Sequence, residues 1–265
     1  MKRLCWRNVV GLALCAGLSL FSITARAADD LDQLLTRTTA RVADSLERFS
    51  EVKCTEKVKQ QKLSPDGKVE RDLESTYDYL VIFSDADGDL NLNESRLPVG
   101  AAKTDKKNTP LLVTNGFATL FLVFHPHYAG SFQFTSLGDE TIAGQKLAKV
   151  GFHFVRGGRS PAALALRGRE YPLEFSGTAW IEPGTGAIFK IDAGIGATLE
   201  DVGLKTLHSE VEYSPVPFRE LKTSYWFPSR ASVDVETQRQ HWRNSHTFTD
   251  YQRFSVSTEE KVASK

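Results

Sequence analysis

Cysteine is nearly absent from this chain: three residues in 265, at positions 5, 15 and 54. Cys5 and Cys15 fall in a stretch with the marks of a secretory leader. Only Cys54 is then expected to remain, and no disulfide can form within the mature chain. Beyond that stretch no apolar run is long enough to span a bilayer. An excess of positive charge is missing too: 33 basic residues balance 33 acidic ones. A chain without a basic face is a poor match for nucleic-acid phosphates. The common catalytic signatures are also lacking, with no G-x-S-x-G elbow, S-x-x-K, P-loop or H-E-x-x-H. Nothing in the pattern assigns a catalytic residue, a cofactor or a metal. A hydrolase stays open as a class, because a triad is defined by geometry and not by spacing.

What is present begins with the leader. Lys2, Arg3 and Arg7 make a positive start, and residues 9–23 are uncharged and apolar. Ala25-Arg26-Ala27 then supplies small residues at the two positions a signal peptidase reads. The pattern predicts a signal peptide over residues 1–27 and one domain over residues 28–265, periplasmic or secreted. Cys15 does not read as a lipidation site, since Leu14 precedes it where a small residue is needed. Cleavage removes Lys2, Arg3, Arg7 and Arg26, four of the 33 basic residues, and no acid, leaving a net charge of −4.

Residues 29–49 carry Leu31, Leu34, Leu35, Val42, Leu46 and Phe49 at three- and four-residue steps, one stripe of an amphipathic helix. From residue 51 the period becomes two: Val52, Cys54 and Val58 alternate with lysines and threonine, a strand with one wet face. Ser64-Pro65-Asp66-Gly67 is a turn, because Pro presets one dihedral and Gly accepts positive φ. Strand patterns follow at 77–83 and 90–97, with a turn at 85–89. Residues 100–108 read as a mobile polar loop. The most apolar stretch of the mature chain, residues 110–124, holds Phe117, Leu120, Phe121 and Phe124 at helical spacing. It predicts a short helix from about Asn115, ended by His125-Pro126. Seven further strand patterns run to residue 256, interrupted by a basic loop over residues 156–170. The predicted fold is mainly β with α: a large curled antiparallel sheet, a half-barrel, with an N-terminal helix and a mid-chain helix on its concave face.

That order of elements resembles the Lol-type lipoprotein-carrier fold. The segment Gly177-Thr178-Ala179-Trp180-Ile181-Glu182-Pro183-Gly184-Thr185-Gly186-Ala187-Ile188 is similar to a hairpin such proteins carry. Asn244-Ser245-His246-Thr247-Phe248-Thr249-Asp250-Tyr251-Gln252-Arg253-Phe254 resembles the last strand of related exported bacterial proteins. The resemblance implies a half-barrel whose helices plug an apolar cavity, and a hydrophobic class of ligand. It transfers no binding-site motif, and the basic loop departs from the simplest pattern.

Leu34, Leu35, Val42, Phe117, Leu120, Phe121, Phe124 and Trp180 are the candidates to line a cavity for a lipid or another apolar small molecule. The same helical stripes also serve as ordinary core. Arg156, Arg159, Arg167 and Arg169 are candidates to meet an anionic group or a membrane surface, since Arg forks suit carboxylate and phosphate; solvated surface charge is the plainer account. Asp85, Asp87, Asp89, Asn91 and Asn93 fail as a calcium loop, with Leu90 where Gly is needed and Arg96 where Glu is needed. His125 and His127 are a short pair, and the histidines at 153, 208, 241 and 246 are scattered along strand patterns. Cys54, on the inward phase of its strand, reads as a small buried hydrophobe. The expectation is an exported binding or carrier protein for an apolar ligand, without cofactor or nucleic acid. The alternatives are an envelope interaction protein with a filled core and an unrecognised hydrolase.

Overall fold

A computed structural model of the chain describes residues 18–86, 89–100, 118, 120–166, 169–218 and 224–254. Helix α1, Leu18–Phe49, leads into strands β1 (Val52–Leu63), β2 (Val69–Ala86) and β3 (Asp89–Pro98). A 3-10 segment, Leu120–Phe124, and helix α2, Pro126–Ala129, precede β4 (Phe132–Ile142) and β5 (Gln145–Phe154). A small hairpin, β6 (Ala163–Leu166) and β7 (Arg169–Pro172), lies inside the basic loop. The chain continues through β8 (Phe175–Ile181), β9 (Ile188–Ile195), β10 (Leu204–Val216), β11 (Tyr225–Thr237) and β12 (His241–Arg253).

Ten of these strands form one antiparallel sheet in the order β3-β2-β1-β12-β11-β10-β9-β8-β5-β4. The first and last strands pair inside it, as its third and fourth strands, with Val58 opposite His246. The two edges, β3 and β4, are neighbours in sequence. Their connection must therefore cross from one side of the sheet to the other. Ten flat strands about 4.8 Å apart would hold the edges roughly 43 Å from each other. Instead Tyr128 of α2, four residues before β4, donates its hydroxyl to the Leu90 carbonyl of β3 at 3.4 Å. Only a strongly curled sheet brings its edges that close. β3 and β4 do not pair, so the curl stops short of a barrel. The described residues thus show the half-barrel expected from the sequence.

α1 lies across the concave face, over β11, β1 and β2. Leu34, Thr38, Val42, Leu46 and Phe49 are its buried stripe. Thr38 joins that stripe because its hydroxyl donates to the Leu34 carbonyl at 2.9 Å, which satisfies it locally. Phe49 stacks on Phe227 at 5.0 Å and tilts against Tyr79 and Phe121, each at 6.4 Å. The helix backbone continues eleven residues ahead of the start expected at residue 29, through the cleavage point expected before Ala28. Ala25, Ala27 and Ala28 are strong helix formers, in keeping with a helix that runs through them. Residues 1–17 of the expected leader lie outside the described residues. No described helix is long and apolar enough to cross a membrane.

Candidate functional site: the covered concave face

The segment between the sheet edges is a plug. The spacing of its apolar residues predicts a helix from about Asn115 with one buried side. The described part is instead the 3-10 segment Leu120–Phe124, with all five side chains buried. The run Leu-Phe-Leu-Val-Phe has no polar face to offer solvent, so a position buried from every side suits it best. The 3-10 segment ends at Phe124, at the stop expected from His125-Pro126, and Pro126 then opens α2. It sits in the first turn, where the missing N–H costs nothing. His125 caps that turn, its Nδ1 accepting the His127 amide at 3.2 Å.

Phe121 meets the Tyr213 ring edge-on at 5.8 Å, and its amide donates to the Tyr213 hydroxyl at 3.2 Å. Phe124 packs on Phe134 of β4 at 5.1 Å and edge-on against Phe152 of β5 at 6.1 Å. Leu34, Val42, Leu120, Phe121 and Phe124 belong to one core cluster, with the half-buried Leu35 packed against it. Beside Phe121, Val42 and Tyr213 the packing leaves a cavity of about 20 Å³, room for roughly one water. Here the plug fills the space it enters.

A larger opening lies under the outer part of α1. A groove of about 650 Å³ runs between the helix and β4–β5, with Leu31, Leu34, Ala148 and Val150 on its walls and Arg37, Asp139 and Lys146 among its polar residues. Its floor adjoins the aromatic cluster around the plug. Ser136 pairs with Val150, and the next same-face pair is Phe134 with Phe152, on which Phe124 rests. The helix is seated beside this groove by the β8–β9 turn. Gly186 there has φ +71°, and a Cβ on it would stand 2.7 Å from the Thr38 nitrogen and 2.8 Å from the Arg37 carbonyl carbon. Glycine lets the two backbones touch. The turn itself is held by Glu182, which accepts the amides of Gly184 and Thr185 at 3.1 and 2.7 Å.

The remaining sequence candidates are dispersed. Phe117 and Arg167 lie outside the described residues, as does the loop over 101–108. Trp180 is on the opposite face of the sheet. Ala179 and Ile181 point into the core, and period two sends the residue between them outward. Its indole N–H donates to Glu140 at 2.9 Å, and the Lys149 and Lys190 ammonium groups stand 5.4 and 5.3 Å from its ring. Arg156 and Arg169 are exposed on the connection from β5 to β8. Arg159 lies against α2, its Nη1 3.2 Å from His127 Nε2. The cap on His125 and this contact occupy the histidine pair. Among the described residues no group of three or more His, Cys, Asp and Glu is placed to hold a metal.

A buried polar network on β1, β3 and β12 was not singled out from the sequence. Arg96 donates from Nε to Glu56 Oε2 at 2.6 Å, and from Nη2 to Glu56 Oε1 at 3.1 Å and Glu94 Oε2 at 2.8 Å. His246 Nδ1 is 2.8 Å from Glu56 Oε1. Burial alone would push the Glu56 carboxyl up. The hydrogen bonds from His246 and Arg96, with the Arg96 charge, outweigh it and hold the group below its ordinary value. Burial likewise opposes the Arg96 charge, and Glu94 and Glu56 more than restore it. Burial also pushes the neighbouring Cys54 thiol up to about 12. The signal was parity: Glu56 shares the inward phase of Val52, Cys54 and Val58.

No protein-family model matches the chain, and no curated protein matches it. Solved structures do. It is similar to a LolA superfamily protein from Nitrosomonas europaea at 10% identity, over 85% of this chain and 94% of that one, with a TM-score of 0.40. A DUF1329 family protein from Desulfovibrio piger aligns at 10% identity over 85% and 95%, with a TM-score of 0.42. A putative outer membrane lipoprotein-sorting protein domain from Vibrio parahaemolyticus aligns at 11% identity over 84% and 95%, with a TM-score of 0.37. These are likenesses of overall fold.

Proposed function

We propose that this chain is an exported carrier for a lipid or another apolar ligand, working in the periplasm or beyond after cleavage before Ala28. The ligand enters along the groove between α1 and β4–β5 and displaces the Leu120–Phe124 plug. The observation that carries this reading is the groove itself. Its 650 Å³ is within the size range of small-molecule sites, its walls include four apolar side chains, and its floor continues into the aromatic cluster holding the plug. Each methylene moved there from water contributes about 0.8 kcal/mol.

The test is binding of N-phenyl-1-naphthylamine, a neutral apolar dye. The wild-type chain is expected to bind it, and Ala148→Phe, which fills the groove, is expected to weaken binding about tenfold, some 1.4 kcal/mol. Trp180→Phe, on the outer face, leaves it unchanged. A wild-type chain that binds no dye, or an Ala148→Phe variant that binds it equally well, contradicts the reading. The tight packing around Phe121, with its 20 Å³ cavity, favours a second reading: an envelope interaction protein whose core is permanently filled.

A further inference from the structure

The groove between α1 and β4–β5 carries one cation that no other part of the chain engages. Four charged side chains line it: Asp30, Arg37, Asp139 and Lys146. Lys146 Nζ stands 2.7 Å from Asp139 Oδ2, so those two charges answer each other. Arg37 is exposed, and among the described residues it makes neither an ion pair nor a side-chain hydrogen bond. The acid in the turn beside it is engaged as well, since Glu182 accepts the Gly184 and Thr185 amides. Arg41, one helical turn on, donates instead to the Ser224 carbonyl at 3.4 Å.

Arg37 is also the lining charge whose backbone is held. Its carbonyl carbon is one of the atoms that the missing side chain of Gly186 allows against the β8–β9 turn. Asp30, the other lining charge without an ion pair among the described residues, lies seven residues earlier, about 10 Å along the helix axis. In a chain cleaved before Ala28 it is the third residue, and the new α-amino group, largely cationic at pH 7, offsets it. A guanidinium is charged at every working pH, and its fork of donors fits a carboxylate or a phosphate. Gln33 and Ser136, exposed on the same groove, add neutral donors. One turn inward from Arg37 the wall becomes apolar: Leu34 is 6% exposed and Val150 1%. A cation at the water side of an apolar groove matches a molecule with an anionic head and a hydrocarbon tail.

We infer that the carried ligand is a long-chain amphiphile with a carboxylate or phosphate head, and that Arg37 is its head-group contact. The tail lies along Leu34, Ala148 and Val150 toward the aromatic cluster. The inference rests on the carrier reading and names the ligand class for the same groove. An exposed ion pair is a modest contact, so the head sets the preference among ligands and the tail supplies most of the affinity.

The test uses the full-length chain, exported, processed and purified without detergent. Bound N-phenyl-1-naphthylamine is displaced at pH 7 and low ionic strength by four probes of one chain length: palmitate, hexadecyl phosphate, 1-hexadecanol and hexadecylamine. The two anions are expected to displace it about fivefold better than the alcohol and the amine, with an advantage that shrinks in concentrated salt. Arg37→Gln is expected to erase the advantage and leave hexadecanol unchanged, which also shows that the variant is folded. Arg239→Gln removes the same charge from the exposed β11–β12 turn and is expected to keep the advantage. Equal displacement by all four probes overturns the head-group inference while the carrier reading stands. So does an advantage that survives Arg37→Gln. Inorganic phosphate is expected neither to displace the dye nor to cancel the advantage; cancellation at millimolar phosphate would make Arg37 a free-anion site and overturn the lipid-head assignment. A wild-type chain that binds no dye overturns both readings.

Discussion

The Phe121 amide donates to the Tyr213 hydroxyl at 3.2 Å, in a place where both residues are buried. The middle of the plug is thereby tied to the wall it covers. A 3-10 segment makes poorer internal hydrogen bonds than an α-helix, and this side-chain acceptor takes an amide that would otherwise be lost from water. Tyr213→Phe keeps the ring packing and removes only the acceptor. The variant is expected to lose about 1–3 kcal/mol in urea unfolding and to take up apolar dye more readily. Unchanged stability would show that the tie contributes nothing.

Gly186 is where α1 rests on the β8–β9 turn. Gly186→Ala places a Cβ against the backbone of Arg37 and Thr38, neither of which is a side chain able to swing away. It also asks alanine to adopt φ +71°, a cost of about 1–2 kcal/mol by itself. Stability is expected to fall by about 2 kcal/mol or more, and hydrogen exchange to quicken in α1 around Leu34–Val42. A variant with wild-type exchange would mean that the helix does not depend on this seat.

Cys54 is 3% exposed, and burial raises its thiol to about 12. The reactive thiolate is then scarce at pH 8. An aromatic disulfide reagent is expected to leave the folded chain unmodified and to react at once in denaturant. Rapid reaction of the folded chain would show that the β1–β2 wall opens readily.

Glu56 titrates below its ordinary value of 4.5 in the folded chain. The unfolded chain therefore binds the proton more tightly. The stability this group adds is complete above about pH 4.5 and drains away as pH falls through the lower folded value. Glu56→Gln removes one carboxylate of a buried network and is expected to cost about 3 kcal/mol at pH 7. It is also expected to flatten the acid limb of the stability profile. An unaltered acid limb would place the titration elsewhere.

Much of this fold was legible in residue order. Period two in β1 and β8–β12, the stripe from Leu34 to Phe49 and the turn at residues 182–186 specify strands, a helix and a hairpin from local chemistry. What local pattern cannot carry is position across the sheet. His125-Pro126 reads as a stop, and the 3-10 segment ends before it at Phe124; that Pro126 also starts α2, with His125 as its cap, is not legible there. Trp180 reads as a cavity candidate, yet parity with Ala179 and Ile181 sends it outward. Glu56 and His246 are 190 residues apart. Only the pairing of the first strand with the last brings them together, and no local spacing announces that.

The central claim is that the concave face exchanges its own plug for an apolar ligand. Mass spectrometry of organic extracts, taken from the chain exported into a bacterial periplasm and purified without detergent, tests it most directly. A stoichiometric acyl lipid is expected in the extract, either as purified or after incubation with membrane lipid vesicles. A clean extract from both preparations would contradict the carrier account and leave the filled-core interaction protein in its place.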